Sequence, residues 1–140
     1  MNLLALLKRF SILRFAVIGT LGVPVDAGGL WVMLNLAHRP YYVARPASWL
    51  VAASFTWIGN RYFTFAATRA HGVSGIGREW VRFLAANLVG GLVNVGLSIT
   101  LRNSAPPPIN NPYLALAIGI LAGLTFNFTL SKKLVFKGPI

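Results

Sequence analysis

The sequence predicts an all-α fold: an integral membrane four-helix bundle made of two parallel two-helix repeats. Three observations predict it. The chain of 140 residues is 56% hydrophobic and 11% charged, with a mean hydropathy of +0.65, whereas soluble domains carry about 25% charged residues. Four apolar segments lie at about 15–36, 47–65, 83–101 and 113–130, each near the ~20 residues that a bilayer-crossing helix needs. The first two segments also resemble the last two in order. The runs lack the period-2 alternation of a lipid-facing barrel strand, so helices are expected throughout a single domain, residues 1–140.

Before the first span, Leu3, Leu4, Leu6, Leu7 and Phe10 are spaced to form an interfacial amphipathic turn. This stretch is not a typical signal peptide: its charges follow the apolar run, and no small-residue cleavage site is clear. The first span carries Pro24, where a kink is expected just before Asp26. Helix breaks are expected at Arg39-Pro40, at Arg45-Pro46, across Gly72 to Gly77, and from Pro106 to Pro112. The second span is free of charge until Arg61.

Charge sets the orientation. Of the 13 Lys and Arg residues, ten (Lys8, Arg9, Arg14, Arg61, Arg69, Arg78, Arg82, Lys132, Lys133 and Lys137) fall on one side of the spans. Arg39, Arg45 and Arg102 fall on the other. The bias puts both termini in the cytoplasm, in a multi-pass protein of the cytoplasmic membrane. The net charge of +11 does not indicate nucleic acid, because the cations cluster at span ends, where they face anionic lipid headgroups.

Arg14–Leu30 aligns with Arg82–Ser98 at an offset of 68, which places Gly22 on Gly90 and Asp26 on Asn94. The second and fourth spans align at an offset of 71, so that Thr56 falls on Asn127 and Asn60-Arg61 on Ser131-Lys132. Each half holds two spans, so both halves enter from the same side and the repeat is parallel. Ser48, Ala52, Thr56 and Asn60 share one helix face, and Gly119, Gly123, Asn127 and Ser131 form the matching stripe. Such stripes mean close helix packing, interhelical polar contacts, or both.

Asp26 is one of only two acidic residues and sits within an uncharged run. An ionisable group at that depth marks a substrate path, a proton relay or an interhelical contact. A structural role would pair it with Asn94 or a nearby Ser or Thr. With two acids, no Cys and two His (His38 and His71, both in loops), no nucleophile–base set or metal site is expected. The GVSGIG run from Gly72 to Gly77 lacks the Lys-Ser/Thr of a nucleotide loop. The chain therefore reads as a non-enzyme without cofactor or metal.

Four stretches carry a family resemblance: RFAVIGTLGVPVD, FTWIGNRYFTF (Phe55–Phe65), RFLAANLVGGLVN and FNFTLSKKLVF (Phe126–Phe136). Through their order and spacing over residues 11–137, the chain resembles the GtrA-like family of small four-span membrane proteins. Members often carry Trp two residues after the basic residue of the Asn-Arg motif; here those positions hold Phe63 and Leu134, and the second copy reads Ser131-Lys132. The first copy is thus the stronger candidate for a site.

The resemblance implies a flippase-like role in cell-envelope polysaccharide synthesis or glycosylation, moving a polyprenyl-phosphate-linked sugar across the membrane. The candidate phosphate and headgroup residues are Arg14, Asn60, Arg61, Arg82, Lys132 and Lys133. Arginine's planar fork suits a phosphate, and each cation equally suits anchoring to lipid. Asp26, Asn94, Thr56 and Asn127 are the candidate intramembrane polar residues, and Trp57 and Tyr62 the candidate aromatic contacts, which interface belts also supply. Polyprenyl phosphate itself, membrane lipids, a second copy in a homodimer or larger assembly, and a membrane glycosyltransferase are the expected partners. Two other functions compete: a non-transporting subunit that positions such a glycosyltransferase, and a small proton-coupled efflux transporter.

Overall fold

A computed structural model describes residues 2–67 and 69–134, without the side-chain surroundings of 11–12 and 128–134. The described residues are helical, with no strand among them. The order is α1 (Leu3–Arg9), α2 (Ser11–Asn35), α3 (Tyr41–Gly59), a π-helical turn (Asn60–Thr64), α4 (Val73–Ala86), α5 (Leu88–Ser104) and α6 (Pro112–Leu134). Helix α2 packs along α3, α5 along α6, and α3 against α5 joins the two pairs.

Local chemistry explains the ends. The Asn2 side chain caps α1 by accepting from Ala5 N at 2.9 Å. Asn111 accepts from Tyr113 N at 2.9 Å, and Pro112 takes the first position of α6, where its missing N–H costs nothing. The Tyr41 hydroxyl donates to the Pro112 carbonyl at 2.8 Å, tying the start of α3 to that of α6. Beside it, Leu30, Tyr41, Ala44 and Leu116 form the one buried apolar cluster described.

Elsewhere the polarity is inverted relative to a soluble protein. Leu21, Val51, Leu92, Leu121 and Leu124 are exposed, whereas Asp26, Arg45, Ser48, Asn94 and Ser98 are buried. Soluble proteins seldom expose such continuous apolar surface. Close packing of α5 on α6 depends on two glycines: a Cβ at Gly119 would strike the Asn94 carbonyl, and one at Gly123 the Gly90 carbonyl.

Three boundaries differ from the sequence-based expectation. Arg45-Pro46 is no break; it lies within α3, which starts at Tyr41. Proline is tolerated there because it forfeits only one hydrogen bond near the helix start. Gly72, at φ 78°, ends the preceding loop, but Val73 to Gly77 are helical. The expected third span, 83–101, is interrupted at Asn87: its first residues close the amphipathic α4, and α5 begins at Leu88 at 57° to it. Helix α2 is continuous through Pro24, where the kink is expected.

Among the described residues, Leu13–Asn35 alone is long and apolar enough to cross a membrane, and α4 with α5 qualifies as a bent pair. Helix α3 falls short in apolarity because Arg45 and a Ser/Thr stripe lie within it. Pro112–Asn127 is apolar but shorter.

Candidate functional site

Asp26 projects from α2 and is 4% exposed. Its partner is Arg45 of α3, whose NH1 donates to Asp26 Oδ1 at 2.8 Å. Arg45 is fully buried, and a buried guanidinium needs acceptors for its donors. Its Nε donates to Ser98 Oγ at 3.0 Å, NH1 also to Ser48 Oγ at 2.7 Å, and NH2 to Asn94 Oδ1 at 2.7 Å. One arginine thereby gathers α2, α3 and α5.

Sequence reasoning missed Arg45, because the following proline made it look like part of a loop. A signal was available: Arg45 lies three residues before Ser48, on the face that bears Ser48, Ala52 and Thr56. The structural alternative of Asp26 paired directly with Asn94 is replaced by an arginine standing between them. Arg45, expected at a span end with Arg39 and Arg102, is instead fully buried.

Below this network a half-open cleft of ≈ 160 Å³ lies between α2, α3, α5 and α6. Asp26, Thr56, Asn60, Asn94 and Asn127 all line it, together with Phe15, Trp49 and Phe83. All four residues singled out as intramembrane polar groups therefore meet at one surface. The aligned positions make matching contacts: Thr56 lies against Gly22, and the Asn127 side chain against Gly90, whose N–H it accepts at 3.1 Å. No Lys or Arg is among the described lining residues.

Among the described basic candidates, Arg14, Arg61 and Arg82 each have their own surroundings. The π-helical turn buries Asn60, Arg61 and Thr64 together. Asn60 donates to the Thr56 carbonyl at 2.9 Å and accepts from Thr64 Oγ1 at 2.7 Å. Arg61 donates to Glu79 Oε1 at 2.9 Å and to the Ala70 carbonyl at 2.7 Å. Trp57 Nε1 shares Glu79 Oε1 at 3.1 Å, and Ala70 N donates to Oε2 at 2.7 Å. Arg61 and Trp57 are thus spent on docking α4 and its preceding loop. Burial pushes the Glu79 carboxyl up, but the Ala70 N–H, Arg61 and Trp57 outweigh it and hold the group below its ordinary range.

Arg14 donates to the Leu7 and Lys8 carbonyls at 2.7 and 3.2 Å, fastening α1 to α2. Tyr62 is exposed, with Arg61 and Arg69 over its ring at 5.7 and 5.0 Å. Arg82 lies exposed on α4 beside Arg78 and Val81. The side chains of Lys132 and Lys133 lie outside the described residues. Among the described residues, no His, Cys, Asp and Glu group is placed to hold a metal ion.

The family model described as "GtrA/DPMS, transmembrane domain" matches residues 14–136. The uncharacterized membrane protein YwcD of Bacillus subtilis (strain 168) is 21% identical over 123 residues, covering 88% of this chain and 94% of that protein. No solved structure matches the chain.

Proposed function

The chain belongs to the GtrA/DPMS transmembrane-domain family, and on that premise we propose that it carries the headgroup of a polyprenyl-phosphate-linked sugar across the cytoplasmic membrane. The cleft carries this reading: polar side chains from both halves of the chain (Asp26 and Thr56, Asn94 and Asn127) line one groove inside an apolar exterior. Buried polar groups that line a cavity are the usual mark of a path through a membrane. The polyprenyl tail stays in lipid while the sugar follows the polar wall.

In this reading the protein is a multi-pass bundle of two parallel two-helix repeats, with both termini in the cytoplasm, working as a homodimer or larger assembly. No step is driven by a nucleotide; consumption of the sugar on the far side sets the direction. The Asp26–Arg45 pair, at 2.8 Å, favours an interhelical contact as the role of this acid over proton-coupled efflux.

The test is reconstitution. Purified protein in liposomes should speed the exposure of a polyprenyl-phosphate-linked sugar to an outside enzyme or quencher. A rate equal to that of protein-free liposomes would overturn the proposal. The exposed face of α4, with Arg78, Val81 and Arg82, favours a second reading as a subunit that positions a glycosyltransferase. Co-purification with such an enzyme, together with full function of a Val23→Trp variant whose cleft is filled, would select it.

A further inference from the structure

Two polar atoms at the inner end of the cleft have no partner among the described residues. Asp26 receives Arg45 on Oδ1, and its Oδ2 accepts nothing. Asn94 receives Arg45 on Oδ1 at 2.7 Å. A guanidinium only donates, so this bond fixes the orientation of the amide and leaves its Nδ2 unused. Asp26 is 4% and Asn94 8% exposed, and both line the cleft. Neither atom is sealed away, so both are reached from the cleft. An acceptor on Asp26 and a donor on Asn94, both open to the same cleft, suit a group that both donates and accepts.

The surroundings define that occupant. Asn127 uses Oδ1 on Gly90 N and keeps its amide hydrogens, and the Trp49 ring forms an apolar wall. The occupant must both donate and accept, over an apolar face. A hydroxylated ring does so, whereas the phosphodiester that joins a sugar to its carrier lipid can only accept. No described lining residue is cationic, and Arg45 is neutralised by Asp26 and fully buried. A phosphate moved inward would therefore find no unpaired cation among the described lining residues to offset its charge. The whole cleft, at ≈ 160 Å³, is below the roughly 300–1,000 Å³ of drug-sized pockets, which suits a small occupant.

We propose that the inner end of the cleft is a subsite for a single uncharged sugar ring, held by Asp26 Oδ2 and Asn94 Nδ2, and that the carrier phosphate does not enter it. This inference rests on the reading of the cleft as a headgroup groove. The subsite distinguishes uncharged from acidic sugars.

Native mass spectrometry of the detergent-purified full chain tests it with four probes: polyprenyl phosphate bearing glucose, the same lipid bearing glucuronate, bare polyprenyl phosphate, and phosphatidylglycerol. The glucosyl lipid should bind about tenfold more tightly than the other three, which is the scale of one well-placed hydrogen bond. Asn94→Ala should erase that advantage. Because this variant also takes an acceptor from Arg45, Val23→Trp, which narrows the cleft from the half-exposed α2 wall, serves as a second variant and should do the same. Equal binding of glucosyl and glucuronyl lipids, both above bare polyprenyl phosphate, would overturn the uncharged-ring subsite and leave the headgroup groove standing. Sugar lipids no better than phosphatidylglycerol would overturn both.

Discussion

Arg45 and Asp26, on neighbouring helices, form an ion pair of 2.8 Å in which the arginine side chain is fully buried and the aspartate side chain 5% exposed. The pair lies at the point where the two halves of the chain differ. At the alignment offsets of 68 and 71, Asp26 corresponds to Asn94 and Arg45 to Leu116. One half carries a carboxylate and a guanidinium, and the other an amide and a buried leucine. The guanidinium crosses between the halves to reach Asn94 and Ser98.

Removing one member of this pair strands the other in a poorly solvated interior, which costs about 3–5 kcal/mol in buried pairs. Asp26→Asn and Arg45→Leu should each lower the thermal unfolding midpoint in detergent strongly. The double variant, which copies the second half, should recover more than half of the loss. Additive losses in the double variant would show that the two residues act separately.

Glu79 holds α4 through Arg61, Trp57 and Ala70 N. Its carboxyl is held below its ordinary value of 4.5, so the docking is at full strength above that value and fades as pH falls through the lower folded-state pKa. Hydrogen exchange over residues 69–86 should accelerate on acidification below that window. Glu79→Gln should show the faster exchange already at neutral pH, with little further pH dependence.

Arg61 and Arg82 should separate in their effects. Arg61→Gln breaks the Glu79 contact and should raise hydrogen exchange in α4. Arg82→Gln should leave exchange unchanged but weaken the binding of anionic lipid to the detergent-purified protein in a salt-dependent way, since an exposed cation is worth about 1 kcal/mol at a charged surface. Equal effects of both variants in both assays would count against this division.

Gly123→Ala places a methyl group on the Gly90 carbonyl and should destabilise the α5–α6 pair by roughly 1–3 kcal/mol, the usual cost of overpacking. Gly28→Ala and Gly96→Ala meet open space and should be neutral or stabilising by up to about 1 kcal/mol. Unfolding of the three variants in one detergent compares them directly.

The polar lining of the cleft was legible because it follows from local spacing. Asp26, Thr56, Asn94 and Asn127 lie on aligned helix faces, and faces of aligned helices turn toward one interior. The bend at Asn87 was not legible, since Phe83 to Leu101 reads as one apolar run. Only the docking of α4 on α3, through Glu79 and a Trp80 Nε1 to Ser54 Oγ bond of 3.0 Å, shows where that run divides.

By itself, the sequence determined the helical character, the membrane class and the faces that carry polar residues, because hydropathy and helical periodicity act within a few turns of chain. The tertiary structure decided which charges find one another. Arg45 serves Asp26 and Asn94 inside the bundle, and Arg61 serves Glu79 where α4 docks. The partners lie 18 to 49 residues apart, and a buried charge takes whichever acceptor the packing brings within reach. No local pattern encodes that choice.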